Sequence, residues 1–310
     1  MFDGETVLIT GGTGSFGRWV ISALLETRVG EVRVFSRDEE KQLSLQRQIS
    51  DKRVTYMLGD VRDYDRVVEA CKGVNVVYHA AAQKIIDSCE LNPTEALRTN
   101  VLGSLNVKRA CESEGIETAI LVSTDKAVKP VNLYGMSKGM AEHIWTNGLR
   151  NTRFAVVRYG NVLGSRGSIV PYFKELIKAG KPLPITDFSM TRFLITLKQA
   201  CKLVFYVTEH AKNARIYVPN LPACRIVDLA KALAGESYPQ VLVGVRLGEK
   251  IHECLIQEYE IRRTSLQDNY FVINPDVIVH PVLKEEYISD KARQLTITEI
   301  QTLLRESEVI

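Results

Sequence analysis

The stretch that decides the fold is Thr6-Val7-Leu8-Ile9-Thr10-Gly11-Gly12-Thr13-Gly14-Ser15-Phe16-Gly17. Its first five residues are an apolar, β-branched run of strand length. The glycines at 11, 14 and 17 then fall as G-x-x-G-x-x-G ahead of a helical pattern through Trp19, Leu24 and Leu25. Strand, glycine turn and helix in that order make a dinucleotide-binding fingerprint. The turn needs backbone angles that other residues avoid, the main chain must approach a pyrophosphate closely, and the helix must pack tightly on the strand. The helix N-terminus adds unpaired N–H groups and a partial positive charge. Gly11, Thr13, Gly14, Ser15, Phe16 and Gly17 are the expected cofactor contacts. A plain glycine-rich turn is the alternative, against which the flanking strand and helix count.

Outward from this loop the same rhythm continues. Strand-like runs stand at Glu31 to Phe35, Val54 to Leu58, Val74 to His79, Thr118 to Ser123 and Phe154 to Tyr159, with helix-length spacers between them. That alternation predicts an α/β fold with a doubly wound parallel sheet of the Rossmann type. The runs are nearly continuous in apolar residues, as suits strands covered by helices on both faces. After Gly160 the texture changes, with Gly164, Gly167, Pro171, Gly180, Pro182 and Pro184 in close succession. We expect residues 1–160 to form the dinucleotide-binding domain with the catalytic residues. Residues 161–310 are expected to be mainly a smaller substrate-binding lobe, interleaved with returning Rossmann elements; Ile216 to Val218 is a further strand-like run.

Composition narrows the class further. The 310 residues are 45% hydrophobic and 25% charged, with a net charge of +3, and no block of like charges marks a nucleic-acid-binding tail. A chain of this length buries about three quarters of its unfolded surface, so a disulfide-stapled mini-protein is excluded. The six cysteines never form a C-x-x-C pair and the five histidines lie apart, so neither a zinc knuckle nor a disulfide framework is written here. His252-Glu253 begins like a zincin helix, but Ile256 stands where a second histidine ligand belongs, so we expect a surface helix and no metal. Neither a signal peptide nor a membrane span is expected, and free thiols point to a reducing cytoplasm.

At the end of the second strand, about 20 residues beyond the glycine loop, an NAD-specific site places Asp or Glu on the ribose 2′-hydroxyl. Here Ser36-Arg37 occupies that place, with Lys41 one helical turn on. A guanidinium matches a phosphate in bidentate fashion, so NADP is the expected cofactor; a merely surface Arg and Lys are the alternative. Asp60 and Val61 follow strand three, with Asp60 placed to accept a hydrogen bond from the adenine amino group. Ala80 and Ala81 offer small side chains where the cofactor's backbone would pass.

The chemistry is carried by Ser123-Thr124-Asp125-Lys126 after strand five and by Tyr134-Gly135-Met136-Ser137-Lys138 at a helix start. Tyr134 and Lys138 are four apart and share a helical face. A nearby ammonium favours the phenolate, so the pair suits deprotonation of an alcohol during hydride transfer. Removing hydride from carbon 4 of a sugar makes a ketone that acidifies the hydrogen on carbon 5. A base for that hydrogen and an acid for the carbon-6 hydroxyl are then required, and Asp125 and Lys126 are adjacent candidates. Lys126 acts as a base only if its pKa is pulled down, which burial beside a cationic nicotinamide and Lys138 would do. A surface ion pair is the alternative reading.

Glycine loop plus Y-x-x-x-K resembles the extended short-chain dehydrogenase/reductases acting on nucleotide sugars. Thr13 to Phe16, Ser36 to Asp38, Ser123 to Lys126, Asn132 to Gly135, Arg158 to Val162, Met190 to Phe193 and Gly248 to Lys250 together resemble one group in it. That group is the inverting UDP-N-acetylglucosamine 4,6-dehydratases of pseudaminic acid biosynthesis. The resemblance implies Lys126 as base and Asp125 as acid, with Thr124, Tyr134 and Lys138 completing the catalytic set. It also implies that cofactor contacts extend to Lys84, Tyr134 and Lys138. Substrate contacts are implied for Lys84, Asn161, Arg192, Arg246 and Glu249, and a homo-oligomer for the assembly. Asn100 is expected to brace the catalytic helix. Gln83, Lys129, Met136 and Leu247 depart from the group's usual residues, and Trp145 to Thr152 looks shortened. The rivals are a UDP-sugar 4-epimerase, a retaining dehydratase and an NADP-binding regulator.

Overall fold

A computed structural model describes residues 1–148, 151–165 and 167–307. The first six strands are β1 (Thr6–Thr10), β2 (Glu31–Ser36), β3 (Val54–Leu58), β4 (Val76–His79), β5 (Thr118–Thr124) and β6 (Arg153–Tyr159). Between them run α1 (Ser15–Leu25), α2 (Glu39–Gln48), α3 (Tyr64–Cys71), α4 (Ile86–Leu91), α5 (Pro93–Ala96), α6 (Gly103–Ser113) and α7 (Leu133–Thr146). Each expected strand of the first half is present. The fourth starts at Val76 rather than Val74, because the Val74 N–H turns back onto the Cys71 carbonyl at the end of α3. The shortened stretch noted at Trp145 to Thr152 includes residues 149 and 150, which lie outside the described residues.

The second half runs β7 (Asn161–Val162), α8 (Ile169–Lys178), β8 (Leu183–Ile185), β9 (Thr191–Ile195), α9 (Leu197–His210), β10 (Arg215–Pro219) and β11 (Ala223–Arg225). It continues through α10 (Ile226–Ala234), β12 (Gln240–Leu242), β13 (Cys254–Ile256), α11 (Glu258–Ile261), β14 (Thr264–Gln267), β15 (Tyr270–Ile273), β16 (Tyr287–Ile288) and α12 (Ile297–Glu306).

The main sheet has the order β3-β2-β1-β4-β5-β6-β10-β15-β14. The strands from β3 to β10 are parallel, and the last two pair antiparallel. Val7, Leu8 and Ile9 of β1 are wholly buried, the condition of a central strand with helices on both faces. Strand order reverses between β1 and β4, where a doubly wound sheet opens its ligand crevice at the strands' carboxyl ends. Three small sheets accompany it among the described residues, β7-β9-β11, β8-β12 and β13-β16. Strands β8, β9 and β11 enclose with α8, α10 and α12 a second core that includes Phe173, Leu183, Ile185, Leu194, Leu229, Ile300 and Leu304. Full burial of each such side chain is worth about 1.5–3 kcal/mol. Among the described residues no helix is long and apolar enough to cross a membrane.

Candidate active site

Gly11 has φ +70°, and a Cβ there would stand 2.8 Å from the backbone of Ala81, so β1 and β4 meet at this point only through a glycine. Gly14 is the N-cap of α1 and supplies no side-chain cap, which leaves the first N–H groups of the helix facing the crevice. The loop therefore fits a pyrophosphate. At the end of β2, the Ser36 hydroxyl accepts a hydrogen bond from Gln42 Nε2 at 3.0 Å. Arg37 lies 3.6 Å from the Asp60 carboxylate, and Lys41 is ion-paired to Asp38. Asp60 is bound more closely by Arg62, at 2.9 Å to Nε and 2.7 Å to Nη2. Burial by itself raises the Asp60 carboxyl, but Arg62 and Arg37 outweigh it and hold it below the usual range. Val61 is buried after β3, with its carbonyl bonded to Asn106.

Past β5 the chain makes a short 3-10 turn, Asp125–Ala127, and Asp125 becomes fully buried. Its Oδ1 accepts from Thr124 Oγ1 at 3.0 Å and from Lys126 Nζ at 3.1 Å, while its Oδ2 is buried without a partner. Asp125 is therefore fully buried with a half-buried Lys126 beside it, not an ion pair on the open surface. Gly135 makes this closeness possible, because a Cβ on it would stand 2.2 Å from the Lys126 carbonyl oxygen. Asn132 caps α7 by accepting from the Gly135 N–H at 2.7 Å, and its Nδ2 donates to the Gly248 carbonyl at 2.7 Å. The start of α7 is thereby fastened to the loop between β12 and β13.

The electrostatics differ from the sequence expectation at two groups. Burial lowers the Lys126 ammonium, but the carboxylates of Asp125 and Glu253 more than reverse this and raise it. The expected depression of this lysine ignored a carboxylate that arrives from 127 positions further along the chain. Tyr134 is pushed up to about 12 by burial; Lys126, rather than Lys138, is the cation opposing that rise, helped by a hydrogen bond with Thr124. Lys138 donates to the Val122 carbonyl at 2.8 Å, and burial brings it down to about 8 against the pull of Glu142. Burial raises the Asp125 carboxyl, Lys126 opposes the rise and Glu253 adds to it.

Glu253 was missed by the sequence reading. His252-Glu253 lies in an irregular segment ahead of β13, not in a helix, and Glu253 is buried rather than at the surface. Its N–H donates to Ser289 Oγ at 2.9 Å, so the pairing of β13 with β16 turns the carboxylate inward. Lys250 beside it donates to the Val128 carbonyl at 2.6 Å. Arg192 is buried and directs Nη1 to the carbonyls of Thr191 and Ile251 and Nη2 to that of Lys250. Arg246 and Glu249 pair at 2.5 Å in the loop after β12, and one Glu249 oxygen is buried without a hydrogen bond. Asn161 Oδ1 is likewise unpartnered, in a small cavity shared with Ser168 and Arg192. Lys84 is exposed in the loop between β4 and α4.

Two supports of the site were only partly legible. Asn100 donates to Ser137 Oγ at 2.9 Å and bonds both backbone groups of Gln83, which braces α7 against the loop after β4. Arg158 lies buried between Glu142 and Glu260 with 2.6 and 2.9 Å contacts, while Glu142 accepts from Ser123 at 2.5 Å. Among the described residues no group of three or more His, Cys, Asp or Glu side chains is arranged to hold a metal ion. All six cysteines are buried, free thiols.

Comparisons with known proteins agree with this geometry. A family model described as polysaccharide biosynthesis protein matches residues 7–275. The chain is 43% identical over 284 residues to a Campylobacter jejuni protein named UDP-N-acetylglucosamine 4,6-dehydratase (inverting), covering 89% of this chain and 85% of that one. It is 40% identical over 328 residues to a Rickettsia bellii protein named UDP-glucose 4-epimerase, covering 98% and 96% respectively. Among solved structures, Pen from Bacillus thuringiensis superposes with a TM-score of 0.94 at 33% identity, covering 100% of this chain and 99% of that one. A dTDP-glucose 4,6-dehydratase from Streptomyces venezuelae shares the fold, with a TM-score of 0.72 at 20% identity over 79% of this chain and 86% of that one.

Proposed function

The chain belongs to the polysaccharide biosynthesis protein family, and from that premise we propose that it is a nucleotide-sugar 4,6-dehydratase. In this reading it converts UDP-N-acetylglucosamine, with inversion at carbon 5, to UDP-2-acetamido-2,6-dideoxy-β-L-arabino-hex-4-ulose. The observation that carries the reading is the pairing of half-buried Lys126 with the fully buried Asp125 beside Tyr134. An epimerase needs an alcohol deprotonator but neither an acid for carbon 6 nor a base for carbon 5.

The residues divide the work as follows. Gly11 to Gly17, Ala80 and Ala81 would hold the pyrophosphate of NADP, with Arg37 and Lys41 toward the 2′-phosphate and Asp60 and Val61 toward the adenine. The redox chemistry is what that cofactor supplies when bound, acceptance of hydride from carbon 4 and its return at carbon 6. Tyr134 takes the carbon-4 hydroxyl proton, positioned by Thr124, and the charge of Lys126 favours its phenolate. A proton passing from Lys126 Nζ to Asp125 Oδ1 across their 3.1 Å contact leaves a neutral amine and a carboxylic acid together. Burial of Asp125 favours its protonated form, while the carboxylates around Lys126 hold the ammonium and set the cost of the transfer. Lys126 then removes the carbon-5 proton, Asp125 protonates the departing carbon-6 hydroxyl, and water leaves a 4-keto-5,6-ene. A proton drawn from solvent returns to carbon 5 on the opposite face. Lys84, Asn161, Arg192, Arg246 and Glu249 belong to the substrate side, Arg246 meeting the diphosphate directly and Arg192 shaping the wall of the Asn161 cavity.

Residues 161–310 serve in this reading as the substrate lobe, and a homo-oligomer in the cytoplasm supplying pseudaminic acid synthesis is part of it. The second reading, a 4-epimerase, is favoured by the name of the Rickettsia bellii relative. The two separate in one experiment: purified protein, UDP-N-acetylglucosamine and catalytic NADP in deuterated water, with the product read by NMR. A 6-deoxy-4-keto sugar with deuterium at an inverted carbon 5 is expected. A carbon-4 epimer without deuterium decides for the epimerase.

A further inference from the structure

The Lys126 ammonium has two carboxylate partners, and only one is its neighbour in sequence. Nζ lies 3.1 Å from Asp125 Oδ1 and 3.2 Å from Glu253 Oε1. Glu253 is delivered by the second lobe, where Ser289 fixes its backbone. Its other oxygen lies 3.3 Å from Lys250 Nζ without hydrogen-bond geometry, and Arg192 Nε is 4.0 Å from the carboxylate. Lys250 and Arg192 each spend donors on backbone carbonyls, so Lys126 is the one cation of the three that also faces Asp125 at contact distance. A buried carboxylate among three cations is held by charge as much as by shape.

We infer that Glu253 is a positioning residue for the carbon-5 proton step: reaching in from the second lobe, its carboxylate anchors Lys126 beside Asp125 and fixes where that nitrogen meets the sugar. The inference rests on the reading of Lys126 as the base. The charged and titratable groups facing Lys126 are Asp125 on its own turn, Glu253 from the segment before β13, Arg192 from β9 and Tyr134 from α7. Lys250 faces Glu253 from its far side. Glu253 is thus the second anion of the cluster. Removing its charge makes the ammonium easier to deprotonate, because an opposite charge at this range moves a pKa by about 1–3 units.

The test compares wild type with Glu253→Gln and Glu253→Asp, each checked for folding by thermal melting. In protein labelled with nitrogen-15 at lysine, the Lys126 side-chain signal is identified by its loss in Lys126→Met. We expect that signal to deprotonate at lower pH in Glu253→Gln than in wild type. The acidic limb of the kcat/KM profile for UDP-N-acetylglucosamine should move down by about 1–3 pH units with it. A fall of kcat by tenfold or more with KM little changed is expected, whereas a merely structural loss leaves the limb in place. Glu253→Asp keeps the charge but withdraws it by about 1.5 Å, so its kcat should fall while the limb moves less. If the Gln variant does not fold, an Asp variant with wild-type kcat and limb overturns the inference. An unmoved Lys126 signal overturns it, and so does a moved signal with an unmoved limb. Full dehydration by Lys126→Met would instead overturn the assignment of the base, while the NMR titration still reports whether Glu253 anchors Lys126.

Discussion

Gly135 and Lys126 touch through their backbones: a Cβ built on Gly135 would stand 2.2 Å from the Lys126 carbonyl oxygen. Helix α7 and the turn at Asp125–Ala127 can be this close only because position 135 has no side chain. No flexible group lies between them to give way, so a methyl there must push one element off the other.

Gly135→Ala should therefore leave a folded protein that binds NADP but turns over slowly. A displacement of about 1 Å between Tyr134 and Lys126 costs on the order of 100-fold in kcat. Turnover of UDP-N-acetylglucosamine, read alongside NADP affinity, checks this; an alanine variant with wild-type kcat would show that the turn moves without consequence.

Arg158 joins the two halves of the molecule, with Glu142 of α7 on one side and Glu260 of α11 on the other. Burial disfavours its charged form, but the two carboxylates outweigh that and raise it. Arg158→Met leaves two buried carboxylates facing each other without a cation, so unfolding in urea should show a loss of about 3–5 kcal/mol. Replacing all three residues by apolar ones of similar volume should cost much less. Equal losses in the two variants would contradict this account.

His79 is buried between Thr10 Oγ1 at 2.7 Å and Ser104 Oγ at 2.9 Å, and burial brings it down to about 3 from 6.5. Between those values the unfolded chain binds a proton that the folded protein refuses. Stability from this group is therefore complete above pH 6.5 and is lost as pH falls. Relative to His79→Gln, wild type should lose about 1.6 kcal/mol between pH 6.5 and 5, the slope rising toward 1.36 kcal/mol per unit as the unfolded histidine fills with protons. Denaturant titrations of both proteins at the two pH values measure this difference, and parallel curves would remove His79 from the acid response.

Cofactor choice is expected to rest on Arg37. Its guanidinium is 3.6 Å from Asp60, which is already satisfied by Arg62, so it can turn to a phosphate at little cost. Arg37→Ala should weaken NADP by roughly 10- to 100-fold, the worth of a charge-assisted pair, and leave NAD nearly unaffected. Calorimetric titration with both nucleotides decides it; equal weakening of the two would place Arg37 away from the 2′-phosphate.

What the sequence determined by itself is local. Strand, glycine turn and helix at Thr6 to Leu25 follow from apolar runs and backbone preferences within one window, and so do the other parallel strands. Asp125 and Lys126 fall on one turn, and Tyr134 and Lys138 on one helical face, by spacing alone. Tertiary structure decided the charges. Glu253 reads in sequence as half of an incomplete metal motif, and nothing in its own neighbourhood says that it will face Lys126. The Glu142–Arg158–Glu260 chain joins residues separated by up to 118 positions, and each of its members looks like a surface residue when read alone. Electrostatic energy in a buried site depends on distances across lobes and on the exclusion of water. Neither can be read from a local window, because Glu253 reaches Lys126 from the segment ahead of β13, and that segment is held by the pairing of β13 with β16.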